Sequence, residues 1–377
     1  MDALHTLTDG RERDDMSRRR AHVFRTIFAA LTLLSSPVKA QVAGGVIHTI
    51  EVRAPSLRKN LLGDPDHRAV SVYLPPSYAK NRGRRYPVLY LLHGFDGDNY
   101  TAWITGRVQN LDVRISMDSL IRAGKSREMI LVMPNARNRF DGSFYSNSPT
   151  TGNWEEFIAR DLVRYVDSHF RTIRSHGARG IAGHSMGGFG SLRLGMDHPE
   201  IFSAVYLLSP CCLTANDMRL GWVKSGLKAS LPLRTTSQIP KAGFYSNLIM
   251  ALSAVYSPDT ARPPFFVDFP ARLEGDSVIS DSAVLAKWIP LLSEVPRHVN
   301  QLRRLRIGFD AGTADGFPDI PVNVKTLDST LTALGIAHSF ELYQGTHGSK
   351  IRSRLESVVF PFFSAHFAGA APRKENR

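Results

Sequence analysis

The chain has 377 residues, 43% of them hydrophobic and 21% charged, and carries a formal net charge of +13. This balance excludes a disordered or fibrous chain and allows one large domain or two small ones. The excess Lys and Arg are scattered, grouped only briefly as in Arg82, Arg84, Arg85 and Arg303, Arg304, Arg306, without a zinc finger or an aromatic-interleaved basic stripe; a solvated basic surface is expected, and no nucleic-acid partner.

Residues 1–40 read differently from the rest. From Met16, Arg18, Arg19 and Arg20 lead into an apolar stretch from Val23 to Leu34 interrupted by Arg25, followed by Ser35, Ser36, Pro37 and Val38-Lys39-Ala40. A basic segment, a short apolar core and small residues at −3 and −1 make a secretory signal. We expect export to the periplasm or beyond, with a cut after Ala40, and translation from Met1 or from Met16. The body of the chain has no apolar run near the ~20 residues a membrane span needs, so no stable membrane insertion is expected.

After residue 41, strand-like runs alternate with helical patterns. Val46 to Arg53 and Ala69 to Leu74 alternate as half-exposed strands, the second stopped by Pro75-Pro76. Pro87 to Leu92 and Met129 to Met133 are continuous apolar runs, suiting strands buried on both faces. Asn153 to Phe170 reads as a helix with Ile158, Leu162, Val166 and Phe170 on one face and Asn153 and Glu156 as a capping pair. Gly180 to Gly183 is a short strand leading through a glycine-rich turn into a helix that runs to Met196, and Phe202 to Leu208 is the next strand. Residues 211–300 hold eight prolines and no regular alternation; they are expected to be an insertion over one end of the sheet within a single domain, 41–377. The pattern resumes with a strand over Leu305 to Phe309, a helix over 321–334, a strand over Ser339 to Tyr343 and a closing helix from Lys350 to Phe367. The fold class is therefore α/β, a mostly parallel sheet flanked by helices.

The strongest motif is Gly183-His184-Ser185-Met186-Gly187, a G-x-S-x-G between a buried strand and a helix. It places a serine hydroxyl on a tight turn, with the next N–H aimed at a developing oxyanion. Such a serine needs a base held by a carboxylate, and in this architecture the order is Ser, acid, His, each after a strand. His347, in Gly345-Thr346-His347-Gly348 after the last strand, is the expected base. Asp315 is preferred over Asp310 as the acid, and Asp310 is expected to brace the turn by accepting from backbone N–H groups. Leu92-His93-Gly94-Phe95 supplies a second oxyanion donor, the Phe95 N–H, to pair with that of Met186. His93 and His184 precede the serine or touch it, and read as structural supports. There is no HExxH, no Cys-x-x-Cys and no phosphate loop, so neither a metal nor a cofactor is expected. The two cysteines, Cys211 and Cys212, are adjacent. Their Cα atoms lie about 3.8 Å apart across a trans peptide, short of the ~4.4–6.8 Å of a relaxed disulfide, so they are expected to be two small buried side chains after a strand.

Taken together, Tyr90-Leu91-Leu92-His93-Gly94-Phe95, Phe144-Tyr145-Ser146-Asn147-Ser148, Trp154-Glu155-Glu156-Phe157, Gly183-His184-Ser185-Met186-Gly187-Gly188, Gly312-Thr313-Ala314-Asp315 and Gly345-Thr346-His347 make the chain resemble the esterase D family of α/β hydrolases over roughly 46–368. The resemblance implies the α/β-hydrolase fold, Ser185, Asp315 and His347 as a catalytic triad, and the Phe95 and Met186 amides as the oxyanion hole. It implies a serine carboxylic-ester hydrolase acting on a small ester through an acyl-enzyme. Relatives of that family also transfer acyl groups to sugars, as mycolyltransferases do, or cleave the thioester of S-formylglutathione. These are the alternatives.

Overall fold

The computed structural model describes residues 44–106, 109–214, 217–219 and 221–369; the export segment read over 1–40 lies outside the described residues. The apolar runs pair into an eight-stranded sheet. Its strands are β1 (Val46–Arg53), β2 (His67–Leu74), β3 (Val88–Leu92), β4 (Ile130–Pro134), β5 (Arg179–His184), β6 (Ala204–Leu208), β7 (Arg306–Gly312) and β8 (His338–Tyr343). Their spatial order is β1-β2-β4-β3-β5-β6-β7-β8. β2 runs antiparallel to both neighbours, and every other pairing is parallel.

The continuous apolar runs are explained by layers on both faces of the sheet. In β3, Val88, Tyr90 and Leu92 enter one core cluster while Leu89 and Leu91 enter the other. A strand flanked this way has no face for polar residues. β1 lies at the edge and is exposed along most of its length, alternating only from Thr49 to Arg53, with only Val52 fully buried. β2 departs from expectation: Val70 to Leu74 is buried throughout, and only Ala69 and His67 of the strand are partly or fully exposed. Enclosure between β1 and β4 accounts for this, and its polar Ser71 is accommodated because Asn99 Nδ2 donates to its hydroxyl (2.8 Å).

Helix α1 (Val113–Arg122) begins where Asp112 accepts from the N–H groups of Arg114 and Ile115. Helix α2 spans 154–169 and contains a wider π turn over Phe157–Leu162. The four-residue spacing of Ile158, Leu162 and Val166 exceeds the 3.6 residues of an α turn and would drift off the core face; the π turn takes up the difference, and all three are buried. The expected Asn153 cap is not made. Asn153 pairs with Asn147 in a two-residue antiparallel ladder, which carries Asn147 over the helix start. Its Oδ1 accepts from Glu155 N (3.1 Å) and Glu156 N (3.4 Å) instead.

Helix α3 (Met186–Asp197) follows β5. Between β6 and β7 the chain leaves the sheet for about a hundred residues, forming α4 (Gly221–Ser230), α5 (Phe244–Tyr256) and a hairpin of Ala271–Glu274 with Ser277–Ser280. The sequence shows no helical period here because α5 is buried nearly all round, from Ser246 to Ala254, and so has no polar stripe. Helix α6 (Asp319–Ala333) and a last helix, α7, over 351–369 close the fold. No helix among the described residues is long and apolar enough to cross a membrane.

Candidate active site

The site forms at the C-terminal ends of the parallel strands, where β5 turns into α3. Ser185 sits on that turn at φ 58°, ψ −116°. A non-glycine residue there stores about 1–3 kcal/mol of backbone strain, held by its surroundings. The Ser185 N–H donates to Leu208 O (2.9 Å), and its carbonyl accepts from Phe189 N (3.1 Å) and Cys211 N (3.2 Å). The turn is tight enough that a Cβ on Gly187 would run into Leu92 O, and one on Gly183 into the Gly187 backbone. The G-x-S-x-G glycines are therefore required by the crossing of β3, β5 and α3.

The loop after β7 carries Asp315 and the loop after β8 carries His347. His347 Nδ1 lies 2.8 Å from Asp315 Oδ2, and the Asp315 side chain is wholly buried. The other carboxylate oxygen accepts from Phe317 N (2.9 Å), which fixes the carboxylate plane. With Nδ1 protonated toward Asp315, Nε2 is the free acceptor of the neutral ring. His184 Nε2 lies 2.8 Å from the His347 carbonyl, and the two rings are 4.6 Å apart, so the residue preceding the serine grips the His347 loop. Phe317 packs edge-on against the His347 ring at 5.2 Å. The structure thus brings His347 and Asp315 into contact and anchors both beside the Ser185 turn; among the described residues no hydrogen bond joins the His347 ring to Ser185 Oγ.

Asp310 stands elsewhere. It was expected to brace a turn through backbone N–H groups, but its Oδ2 accepts from Arg354 Nε (2.8 Å) and Tyr206 OH (2.9 Å), fully buried under the sheet end. Asp310 lies within β7 rather than beyond it, so it faces the last helix instead of the loop.

The Phe95 loop is held from several sides. Asp96 N donates to Asp141 O (3.0 Å) and Gly97 N to Gly94 O (3.1 Å), which leaves the Phe95 amide between them with no backbone acceptor among the described residues. Tyr145 OH donates to His93 O (2.9 Å), and Phe144 stacks near Phe95 at 6.0 Å. Phe144 and Tyr145 both have positive φ, at 50° and 51°, so this segment is bent specifically to support the loop. The role of Tyr145 had no signal in the sequence beyond its place in a matched motif.

His93 is a brace in the literal sense. Its Nδ1 sits 2.7 Å from Gly94 O while Nε2 accepts from Ala136 N (2.9 Å), an arrangement only the neutral ring can satisfy. Burial pushes its pKa down to about 4, and burial with the neighbouring His347 pushes His184 to about 3. In the unfolded chain both rings protonate near 6.5. Below that value the unfolded state binds protons the folded state refuses, so the stability these rings contribute is complete above about pH 6.5 and is lost as pH falls toward about 4. We expect the urea midpoint to drop between pH 7 and pH 5, and to drop less in His93→Gln. Parallel pH profiles for the two proteins would count against this account.

An apolar pocket opens beside Ser185. Phe95, Trp222, Phe244, Leu248, Phe317 and Ile320 line it, with Cys211, Cys212, Thr214 and the Asp319 carboxylate. Trp222, Phe244 and Leu248 come from α4 and α5, which sequence reading left without assigned contacts. Burial, then Asp315 and Asp217, raise the Asp319 carboxyl above the ordinary range. Among the described residues no group of three or more His, Cys, Asp or Glu is placed to hold a metal.

Comparison with known proteins identifies the family and the fold. The family model described as "Putative esterase" matches residues 65–352. An endo-1,4-beta-xylanase/feruloyl esterase of Xylanibacter ruminicola is 35% identical over 147 residues, 38% of this chain and 19% of that protein. An esterase of Mycobacterium tuberculosis is 36% identical over 128 residues, 33% of this chain and 25% of that protein. The matches thus span a quarter or less of these relatives' own lengths. Among solved structures, a ferulic acid esterase superposes with a TM-score of 0.56 at 22% identity, covering 86% of this chain and 99% of that one, a likeness of fold. With the family model spanning most of the chain and the strand order described above, this protein belongs to the esterase family of α/β hydrolases.

Proposed function

We propose that the protein hydrolyses neutral carboxylic esters by a Ser185–His347–Asp315 triad through an acyl-enzyme. The observation that carries this reading is the 2.8 Å contact of His347 Nδ1 with a wholly buried Asp315, on loops gripped to a strained Ser185 turn. Ser185 Oγ attacks the ester carbonyl as His347 Nε2 takes its proton. The negative charge that builds on the carbonyl oxygen is met by the N–H groups of Phe95 and Met186. Collapse expels the alcohol, which receives the proton from His347. Water, deprotonated by the same nitrogen, then releases the acid. Asp315 accepts from Nδ1–H throughout, fixing the tautomer and stabilising the transient imidazolium.

The pocket supports a short or aromatic acyl group without charge. Its aromatic walls favour such a group, and the Asp319 carboxylate disfavours an anionic one (like charges at close quarters cost several kcal/mol). Feruloyl esters fit that description, and two of the similar proteins are a feruloyl esterase and a ferulic acid esterase. Export rests on the pattern of residues 16–40 alone.

A panel of 4-nitrophenyl acetate, 4-nitrophenyl butyrate, its succinate-derived anionic counterpart, methyl ferulate and S-formylglutathione tests the proposal. We expect cleavage of the neutral oxygen esters, with kcat/KM for the butyrate at least about tenfold above that for the anionic analogue, the equivalent of ~1.4 kcal/mol. Diversion of product from acid to ester by added sugar would move the reading to acyl transfer. Absence of any ester cleavage, together with failure of Ser185 to react with a fluorophosphonate, would sink it.

A further inference from the structure

Cys211 and Cys212 follow β6 directly and take no part in the chemistry above. Both line the pocket that contains Ser185, and Cys211 is tied to the serine turn through its N–H. Successive side chains in extended backbone point to opposite sides, which would part the two thiols. Cys212 instead adopts φ 61°, a left-handed conformation that non-glycine residues rarely take. Both side chains accordingly line the same pocket, and the neighbouring Cys211 thiol, with burial, raises the Cys212 thiol above its ordinary range. Both cysteines are free.

Closure to a direct disulfide is opposed by covalent geometry, since adjacent Cα atoms lie about 3.8 Å apart and a relaxed bridge wants ~4.4–6.8 Å. An atom placed between the sulfurs relieves that conflict, because each sulfur bonds to it and the two stay at non-bonded separation. Zinc is a poor candidate, since it takes four ligands in closed sites and no third His, Cys, Asp or Glu joins the pair in a metal-binding group among the described residues. Trivalent arsenic needs only two sulfurs beside a substituent it already carries, and it shares the preference of soft centres for sulfur. We propose that the Cys211–Cys212 pair is a bidentate site for trivalent arsenicals, with an aryl substituent lying against Trp222, Phe244 and Phe317.

With phenylarsine oxide the reaction is a condensation. Two As–S bonds form, both S–H bonds and the As=O bond break, and the oxygen leaves as water carrying the two thiol protons. Arsenic stays trivalent and no oxidant or reductant is consumed. Because the thiols share the pocket with Ser185, the adduct fills the space a substrate would use, a consequence that rests on the function proposed above.

The test treats the full chain with phenylarsine oxide and follows intact mass and 4-nitrophenyl acetate hydrolysis together. We expect one phenylarsenic per chain and a loss of hydrolysis in proportion to the fraction modified. 2,3-Dimercaptopropanol should reverse both, whereas 2-mercaptoethanol at equal thiol concentration should not. Cys211→Ser and Cys212→Ser should each lose the adduct on a monothiol wash. Reversal by the monothiol in the unsubstituted protein, a comparison that needs no variant to fold, would overturn bidentate binding. Retention of the adduct in the doubly substituted chain would place the site elsewhere. An adduct with full hydrolysis would remove the link to the pocket. An adduct on a chain that cleaves no ester would leave the dithiol site standing while the proposed function fell.

Discussion

Ser185→Ala is expected to lower kcat for ester hydrolysis by on the order of 10⁶-fold, and His347→Ala by about as much, with the double variant no worse than either. The non-additivity follows from the mechanism. Without the hydroxyl there is nothing for the imidazole to deprotonate, and without the imidazole the hydroxyl is a weak nucleophile. Asp315→Asn is expected to cost about 10⁴-fold, because the amide can present its N–H to Nδ1 and favour the wrong tautomer. Asp310→Asn is the control that separates the two aspartates. Measured on its folded fraction, it should lose far less kcat than Asp315→Asn. A 10⁴-fold loss in Asp310→Asn with little change in Asp315→Asn would reverse the choice of acid. Additive losses at Ser185 and His347 would argue that they do not act as one unit.

That choice between Asp315 and Asp310 shows how far the sequence carried. Chain order after a strand was enough to place Asp315 beside His347, since a loop leaving the C-terminal end of a strand can only open toward the site. The role of Asp310 was misread for the complementary reason. β7 runs on to Gly312, so Asp310 is still in the ladder and its side chain is directed by the strand's alternation toward α7. The partner that meets it, Arg354, lies 44 residues away and carries no local signal. The Asn153 cap failed in the same way, replaced by Asn147 through a two-residue ladder. Strands buried on both faces were legible because their apolar runs are uninterrupted. The pocket wall was not, because α4 and α5 present aromatic residues without motif or period. Local chemistry was readable, and contacts set by tertiary packing were not.

Arg354→Met is expected to destabilise the protein by about 3–5 kcal/mol, seen as a fall in Tm on the order of 5–10 °C. Arg354 and Asp310 are both nearly or wholly buried, with side-chain exposures of 8% and 0%. Burial raises the Asp310 carboxyl to about 6 even though Arg354 pulls it down. Desolvation therefore outweighs attraction, and the pair adds little net stability while half of it is costly to keep alone. Removing the arginine leaves a carboxylate whose charged form has lost its main compensation, so its pKa moves further up. A raised acid is penalised above its folded pKa and relieved as pH falls through it. The Tm gap between Arg354→Met and the unsubstituted chain should accordingly narrow from pH 7.5 to pH 5. Asp310→Asn leaves the guanidinium its contact with Glu341 (2.8 Å) but removes the carboxyl that titrates near 6 and is relieved at low pH, so its gap should widen from pH 7.5 to pH 5. The contrast between the two pH dependences identifies the buried charge left behind, which a mere packing defect would not produce. Activity adds a spatial check. Arg354 lies in the first turn of the helix that follows the His347 loop and ties it to β7, the strand that leads to Asp315. Loss of the tie should therefore loosen the His347–Asp315 contact and lower kcat in the folded Arg354→Met protein, although Arg354 touches no reacting atom. Equal Tm gaps at both pH values for the two variants would show that the pair matters only as filled volume.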